Sequence, residues 1–551
     1  DDEVYRREHL HPDHVGDVIL YKSQISTSVY LVSFKHNKTE NIQITFKSPQ
    51  KRYTKEEQYN YDDFTPKLRV WFAGPTTRAV RRTFADAGFL QTKKEDTKWN
   101  VCWGSPKNLE FYQTLQPGQI CNQIPGSNSM GRKDTLACFI QQAHQRHPEL
   151  YNFTPRTFIL PMDLAELKAD MESQIDTEMM YIYKPAMAAR GNGIVVLSPG
   201  DSLPSEVIAA VVQRYIMNPL LLQDYKFDLR VYVAITSIDP FIVYVYEEGL
   251  GRFATQKYVK PNQQNKTNTQ MHLTNFSVNA KSENFIDKDD EQIQDLGDNL
   301  PSKWKMSELL EYFDANRHVF SSQPDSIIHK VEKQPGCLEK ELKRRINDLI
   351  IKTMAAVEPR MYQFSEKASA LYEFPRRHFG LYGFDVMLTD CGEPILIEVN
   401  SSPATGTSTQ LDVNVKFELL SDLLHLVGVN CNLNEEKNEI VMPERCQTVE
   451  EAVLRRESGI IEEKIWQFVK GQDEQLSSGQ NVNQPVNYTK LTRFEKLCAM
   501  QVLDEQSRLG KFTRLAPIGD LEWGQLFEKE RYFGQLVNKM INQGVKMEDL
   551  M

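Results

Sequence analysis

Three oxygen-bearing side chains, Asp385, Glu398 and Asn400, stand within two short apolar runs, Leu381-Tyr-Gly-Phe-Asp-Val-Met-Leu and Ile395-Leu-Ile-Glu-Val-Asn. Side chains alternate across a strand, so Glu398 and Asn400 are expected on one face and Ile397 and Val399 on the other. The turn Thr389-Asp-Cys-Gly-Glu-Pro folds the runs into a hairpin and brings Asp385 beside them. Carboxylates on neighbouring sheet positions repel unless a cation sits between them. An all-oxygen set suits magnesium, usually held by one or two carboxylates plus nucleotide phosphates. A surface hairpin with solvated acids is the alternative, but acids set among Val, Ile and Leu call for a partner or a metal. The expected chemistry is that of a magnesium–nucleotide site.

Candidate phosphate and nucleotide contacts precede this hairpin. Tyr181-Ile-Tyr-Lys-Pro-Ala-Met-Ala-Ala-Arg-Gly-Asn-Gly-Ile-Val-Val reads as strand, small-residue loop and strand. Backbone N–H groups of such a loop can close over phosphates, with Lys184 adding a point charge. An ordinary hairpin turn would look the same. Val212-Gln-Arg-Tyr-Ile216 leads into Asn218-Pro-Leu-Leu-Leu, a hinge whose backbone could receive adenine. In Lys226-Phe-Asp-Leu-Arg-Val-Tyr-Val, the residues Lys226, Asp228, Arg230 and Tyr232 share one face, a charged wall, and Phe227, Leu229, Val231 and Val233 the core face. A solvated stripe of weak ion pairs is the competing reading. Arg252 follows Gly251; in His272-Leu-Thr-Asn275, Asn275 could complete the metal site, and His272 and Thr274 could touch ribose or phosphate.

The elements that must position these residues are those of an α/β protein. Lys67–Phe72 reads as a strand followed by an amphipathic helix through Phe84. A helix starts at Ser129 and runs towards His147, and Asp163 is placed to cap the helix after strand Phe158–Pro161. Residues 179–245 are strand-rich, and a long helix from Leu338 to about Met361 precedes the hairpin. The domain reading is an N-terminal extension over 1–64, an α/β domain over 65–150 and a central lobe over 151–225. A C-terminal lobe follows over 226–430, with an inserted loop at 281–335 containing a short helix near Met306–Phe313. A helical extension closes the chain over 431–551, interrupted by a Gln/Asn/Ser-rich linker near 471–488.

With 551 residues the chain exceeds a single core, and 40% apolar with 25% charged residues is an ordinary globular composition. No apolar run of about eighteen residues is present, so no membrane span is expected. The N-terminus lacks the basic and apolar regions of a secretory signal, and without an initiating Met it reads as a processed or excised fragment. Eight scattered cysteines, with no zinc spacing, read as reduced cytosolic thiols. A net charge of −10 argues against broad nucleic-acid binding. Walker A, Gly-x-Ser-x-Gly and His-Glu-x-x-His sequences are missing, and Asp390-Cys-Gly lacks the kinase His-Arg-Asp loop before it.

Seven motifs occur in a specific order. They are Arg132-Lys-Asp, Lys184-Pro with Ala-Arg-Gly-x-Gly-Ile, Gln213-Arg-Tyr-Ile with Asn-Pro-Leu-Leu, Lys226-Phe-Asp-Leu-Arg-Val-Tyr, Gly251-Arg-Phe-Ala, Met271-His-Leu-Thr-Asn-Phe-Ser-Val-Asn, and Tyr382-Gly-Phe-Asp with Ile397-Glu-Val-Asn. Over roughly residues 65–430 this series resembles the tubulin–tyrosine-ligase-like family. Asn100-Val-Cys-Trp-Gly, Gly131-Arg-Lys-Asp and the tail near Asp504-Glu-Gln-Ser-Arg look most like the glutamylating branch, near its initiating enzymes.

The resemblance implies an α/β ATP-grasp fold that clasps ATP and Mg2+, and an acyl-phosphate route joining an amino acid to a protein carboxylate. Carried over, Lys133 and Lys184 contact phosphates, with Arg190, Gly191 and Gly193 in the loop over them. Gln213, Arg214, Tyr215 and Ile216 form the adenine hinge, and Lys226 lines the nucleotide. Asp228 holds ribose or substrate, and Arg230 and Arg252 bind the acyl-phosphate or incoming amino acid. His272, Leu273, Thr274 and Asn275 line the nucleotide and substrate side, and Asp385, Glu398 and Asn400 hold magnesium.

The implied reaction is glutamate addition to glutamate side chains of tubulin's acidic tails, with free L-glutamate as co-substrate. The implied setting is a monomer in the cytoplasm on microtubules, including the cilium or basal body. Glycine ligation and a catalytically silent microtubule-binding role stay open, although the intact Asp385, Glu398 and Asn400 set argues against silence. The family's Asn-x-Ser-Pro-Ser-Leu is here Asn400-Ser-Ser-Pro-Ala-Thr-Gly, which bears on the amino-acid pocket. Candidate groove residues for an acidic tail are Arg78, Arg81, Arg82, Lys343, Arg344, Arg345 and Lys352. A solvated helix face competes for the stretch from Lys343 to Arg345.

Overall fold

The computed structural model describes residues 20–22, 30–32, 68–93, 99–104, 108–115, 119–204, 209–285, 300–321, 323–368, 378–434, 439–441, 486–518, 526–527 and 531–550. Most of the expected N-terminal extension, and the linker near 471–488 up to residue 485, lie outside these residues.

A seven-stranded antiparallel sheet organises the protein. Its main path runs Lys303–Lys305, Phe241–Lys257, Tyr225–Ile238, Gly380–Leu388, Pro394–Asn400. Leu221–Leu222 adds beside the third of these and Phe512–Ala516 beside the second. Alternation along Tyr225–Ile238 sends Phe227, Leu229, Val231, Val233 and Ile235 into the largest core, against Leu309, Phe313, Met354 and Val357 of helices Met306–Ala315 and Cys337–Lys367. The opposite face is charged only at its start. Past Arg230 it turns apolar, and Tyr232 and Ala234 join Tyr244, Tyr246 and Leu381 under helices Gln410–Val427 and Tyr532–Asn542. The expected charged wall therefore stops at Arg230.

Among the described residues, three smaller sheets accompany this one; the last joins Leu20–Lys22, Tyr30–Val32, Asn430–Asn434 and Glu439–Val441 in that order. The first is parallel, in the order Leu90–Thr92, Arg69–Ala73, Val101–Gly104, Ile120–Cys121, with helix Arg78–Asp86 beside it. The second is antiparallel, in the order Thr157–Leu160, Ala210–Arg214, Tyr181–Pro185, Val195–Leu197, and encloses its own core of Phe158, Leu167, Tyr181 and Val212.

Several expectations change on folding. The helix read from Ser129 breaks at Arg132, whose backbone is extended, so Lys133 opens a separate helix, Lys133–Arg146. Asp163 occupies the cap position of helix Leu164–Ser173 but accepts from the Ile159 N–H (2.7 Å) rather than capping that helix. Part of the 281–335 insertion is core: Lys303–Lys305 joins the main sheet, and Trp304, Leu310 and Ile327 are buried. The 431–551 extension likewise contributes the strand Phe512–Ala516, so it is not purely helical. Lys343, Arg344 and Lys352 pair with Glu339, Glu341 and Asp348 of their own helix, while the largely buried Arg345 joins Glu341 to Glu393 of the hairpin turn (2.5 Å).

Candidate active site

Residues directly opposite in an antiparallel pair point to the same side. The register therefore draws a charged stripe across five strands. Lys303 lies opposite Arg252, and Arg252 opposite Asp228. Arg230, two positions beyond Asp228 and so on the same face, lies opposite Asp385, which lies opposite Glu398. Neighbours along the stripe are joined. Arg252 donates through Nε to Asp228 Oδ1 (2.7 Å) and contacts Asp385 Oδ2 (2.8 Å). Arg230 donates through Nε to Asp385 Oδ1 (2.6 Å), and Thr274 Oγ1 donates to Asp228 Oδ2 (2.8 Å). Burial alone would raise the Asp385 carboxyl, but the Arg230 and Arg252 guanidiniums hold it well below the usual carboxylate range.

A β-bulge alters the expected alternation at the metal-ligand candidates. Asp385 pairs with Glu398, but Val386 pairs with Leu396, leaving Ile397 as an extra residue. Ile397 and Glu398 consequently both line the cleft, whereas strict alternation had put Ile397 on the far face. Glu398 Oε2 meets Lys133 Nζ at 3.2 Å, and Asn400 lies beside it, Nδ2 to Glu398 Oε1 at 3.4 Å.

Above the stripe lie two buried ammonium groups whose hydrogen-bond partners are neutral. Lys184 Nζ donates to the Gln213 amide oxygen (2.7 Å), and Gln213 is itself held by Thr157. Lys226 Nζ donates to the Tyr215 hydroxyl (2.8 Å). Burial and the Lys133 charge pull Lys184 down to about 8, against the opposing attraction of Glu398 and Asp385. Burial and the nearby Lys184 bring Lys226 to about 7. The Tyr215 hydroxyl is shared with His272 Nδ1 (2.9 Å), while His272 Nε2 faces the Asn265 carbonyl (3.1 Å). A neutral ring with the proton on Nε2 satisfies both contacts; burial and Lys226 lower its pKa to about 4.

The small-residue loop over these lysines depends on left-handed backbone at Arg190, Gly191 and Gly193, with φ of 62°, 77° and 69°. At Gly191 a side chain is also excluded sterically, because a Cβ there would lie 2.9 Å from Val278 and 3.2 Å from Asn275 Oδ1. Ser277 Oγ donates to the Arg190 carbonyl (2.8 Å), and Lys133 Nζ to the Ala188 carbonyl (2.8 Å). The loop is tethered on both sides.

One cleft gathers Lys133, Lys184, Arg190, Gly191, Gln213, Arg214, Tyr215, Ile216, Lys226, Asp228, His272, Leu273, Thr274, Asn275, Asp385 and Glu398. Gly193, Arg230, Arg252 and Asn400 are outside its lining; the two arginines reach it through Asp228 and Asp385. The Arg214 guanidinium turns to Asp170 (2.6 Å), so its side chain belongs to the smaller lobe. Sequence reasoning missed the apolar lining of Ile182, Met387 and Ile397. Ile182 and Met387 each lie two residues from a charged lining residue, Lys184 and Asp385, so the period of two would have found them.

Five cations, Lys133, Lys184, Lys226, Arg230 and Arg252, thus converge with three carboxylates, Asp228, Asp385 and Glu398. Such a surplus suits a polyanion.

The sequence profile of the tubulin-tyrosine ligase family matches residues 113–335 and 321–439. Tubulin polyglutamylase TTLL5 of Mus musculus is 35% identical over 360 residues, covering 64% of this chain and 24% of the relative. Tubulin polyglutamylase TTLL7 of Homo sapiens is 32% identical over 378 residues, 67% of this chain and 40% of the relative. Tubulin monoglutamylase TTLL4 of Homo sapiens is 29% identical over 491 residues, 86% of this chain and 37% of the relative. The chain therefore spans less than half the length of these relatives. With the family profile matched across more than half of its residues, the chain belongs to the tubulin-tyrosine ligase family.

Proposed function

We propose that the chain is an ATP- and magnesium-dependent ligase that adds glutamate to glutamate side chains in the acidic C-terminal tails of tubulin. The observation that carries this reading is the pair Lys184 and Lys226, two buried ammonium groups with neutral hydrogen-bond partners in a cleft that the loop residues Arg190 and Gly191 also line. A buried charge with no counter-charge in hydrogen-bond contact is costly, and a nucleotide's phosphates would offset it. The names of the relatives support glutamate and tubulin as substrates. The arrangement fits an ATP-grasp in which the smaller antiparallel sheet and the seven-stranded sheet hold ATP between them. The setting that follows is the cytoplasm and the microtubule cytoskeleton, cilia included.

The donor set suits magnesium in kind. Asp385 and Glu398 face each other on adjacent strands with Asn400 beside them, all oxygen donors. Among the described residues no group of three His, Cys, Asp or Glu forms a metal cluster, so the ion would rest on this set and on nucleotide phosphates. When bound, magnesium supplies charge neutralisation at the transferring phosphoryl group.

The chain's own residues would act as follows. Lys184 and Lys226 bind phosphate oxygens, and Lys133 offsets the repulsion between Glu398 and the incoming acceptor carboxylate. An acceptor oxygen attacks the γ-phosphorus, ADP leaves, and a mixed anhydride forms. The amine of glutamate, having released a proton to solvent, then attacks the acyl carbon, the C–O bond to phosphate breaks and inorganic phosphate leaves. Arg230 and Arg252, kept in place by Asp385 and Asp228, stabilise the charge that develops on the acyl-phosphate oxygens. No covalent protein nucleophile is needed.

The test is stoichiometric. Purified protein with Mg-ATP, glutamate and tubulin should release one ADP and one phosphate for each glutamate incorporated. ATP turnover that ignores both glutamate and tubulin would overturn the reading.

A further inference from the structure

We propose that Lys303, supported by Asp412 and Lys416, binds the side-chain carboxylate of the incoming amino acid and so selects glutamate over glycine. The proposal rests on the ligase reading above and deepens it.

Lys303 is the end of the charged stripe, directly opposite Arg252 and therefore on its face. Its Nζ meets Asp412 Oδ2 at 2.7 Å, while Lys416 Nζ meets the other oxygen, Oδ1, at 2.8 Å. Asp412 is fully buried. Two lysines share one carboxylate, so the cluster keeps a positive charge in excess. Lys303 also stands over the Phe276 ring, 4.1 Å from its centre. Phe276 directly follows Asn275 of the cleft lining, so the lysine stands beside the segment that forms that wall of the cleft.

The segment 401–409 connects the two ends. It leaves Asn400 and passes Arg230 at Pro403: a Cβ at Gly383 would lie 2.9 Å from Arg230 Cδ and 3.0 Å from Pro403. It is then fixed to the lysine cluster, since Lys416 donates to the Gly406 carbonyl (2.6 Å) and Ser408 Oγ to Asp412 Oδ2 (2.8 Å). One segment thus borders both the arginine pair and the lysine cluster. Opposed residues of a sheet stand roughly 5 Å apart at Cβ, of the order of the distance between glutamate's two carboxylates. An amino acid whose α-carboxylate meets the arginines would place a second carboxylate at Lys303. Glycine would leave that charge unmet.

The test is a binding comparison on the full chain, loaded with magnesium and a non-hydrolysable ATP analogue. Glutamate and glutamine, nearly equal in shape but different in charge, are titrated into wild type, Lys303→Met and Lys303→Arg. Wild type should prefer glutamate by tenfold or more. Lys303→Met should lose most of that preference at unchanged nucleotide affinity, with Asp412 still held by Lys416, and Lys303→Arg should restore it. Equal weakening of both ligands in Lys303→Met, with their ratio kept, would reduce Lys303 to a structural residue and overturn the proposal. So would a wild type that does not distinguish the two. Weaker tubulin binding by Lys303→Met at an unchanged glutamate-to-glutamine ratio would overturn it too, by assigning the lysine to the acceptor tail. Because this readout needs no ligation, absence of glutamate transfer to tubulin would count against the acceptor, not against Lys303.

Discussion

Asp385 and Glu398 face each other across adjacent strands, yet one is clamped by two arginines and the other meets a single lysine at 3.2 Å. The two carboxylates should therefore fail differently. Glu398→Gln is expected to fold normally and lose ligation by about 100-fold or more, because the charge available to magnesium is halved. Asp385→Asn leaves two buried guanidiniums short of a counter-charge and should cost about 3–5 kcal/mol of stability as well. Thermal denaturation alongside glutamate incorporation separates the two. Full activity in Glu398→Gln would remove the metal assignment.

Lys226 should trade stability for binding. Its ammonium is buried against a phenol. Lys226→Met is expected to stabilise the free protein by about 1–4 kcal/mol at neutral pH, while weakening ATP binding at least tenfold. Denaturant unfolding and nucleotide titration measure the two effects. A variant that loses stability yet keeps ATP affinity would show that Lys226 is a core residue.

Nucleotide binding should also depend on pH in a defined direction. In the free protein Lys184 lies at about 8 and Lys226 at about 7, below the ordinary lysine value of 10.5. A bound polyanion raises both, so binding takes up protons near pH 8 and affinity falls as pH rises from 7 to 9. The stability of the free protein runs the other way. The unfolded chain holds more protons between pH 7 and 10.5, so these two lysines favour the folded state increasingly across that window. Calorimetric titration in buffers of different ionisation enthalpy reads the uptake directly; none at pH 8 would contradict the assignment.

Arg531 should anchor the C-terminal segment. Its guanidinium meets Glu358 at 3.1 Å, a side chain fully buried within helix Cys337–Lys367, and lies 3.6 Å from the centre of the Tyr362 ring. Arg531→Ala removes a cation from a buried acid and is expected to cost about 3–5 kcal/mol. Limited proteolysis should then cut near residues 531–550 earlier than in wild type. Unchanged cleavage and melting would show that this segment docks by other contacts.

Much of the site was readable in the chain because strand periodicity is a local property. The alternation Lys226, Asp228, Arg230 and the carboxylates 385 and 398 could be placed on faces without knowing their neighbours. What escaped was set by pairing. The bulge at Ile397 arises from how Gly380–Leu388 and Pro394–Asn400 align, and no single strand encodes that. Lys303 lay inside a polar stretch that read as an inserted loop; only its pairing with Arg252 brings it to the stripe. The strand Phe512–Ala516 was hidden for the same reason, since its partner lies more than 250 residues earlier.

The central claim is glutamate ligation to tubulin tails, and mass spectrometry of the tails tests it most directly. Tubulin is incubated with the protein, Mg-ATP and equal amounts of glutamate and glycine. The account predicts additions of glutamate mass, with fragment ions placing them on glutamate side chains, and none with Glu398→Gln. Glycine additions would contradict the amino-acid assignment, and unmodified tails with ATP still bound would contradict the ligase reading on this acceptor.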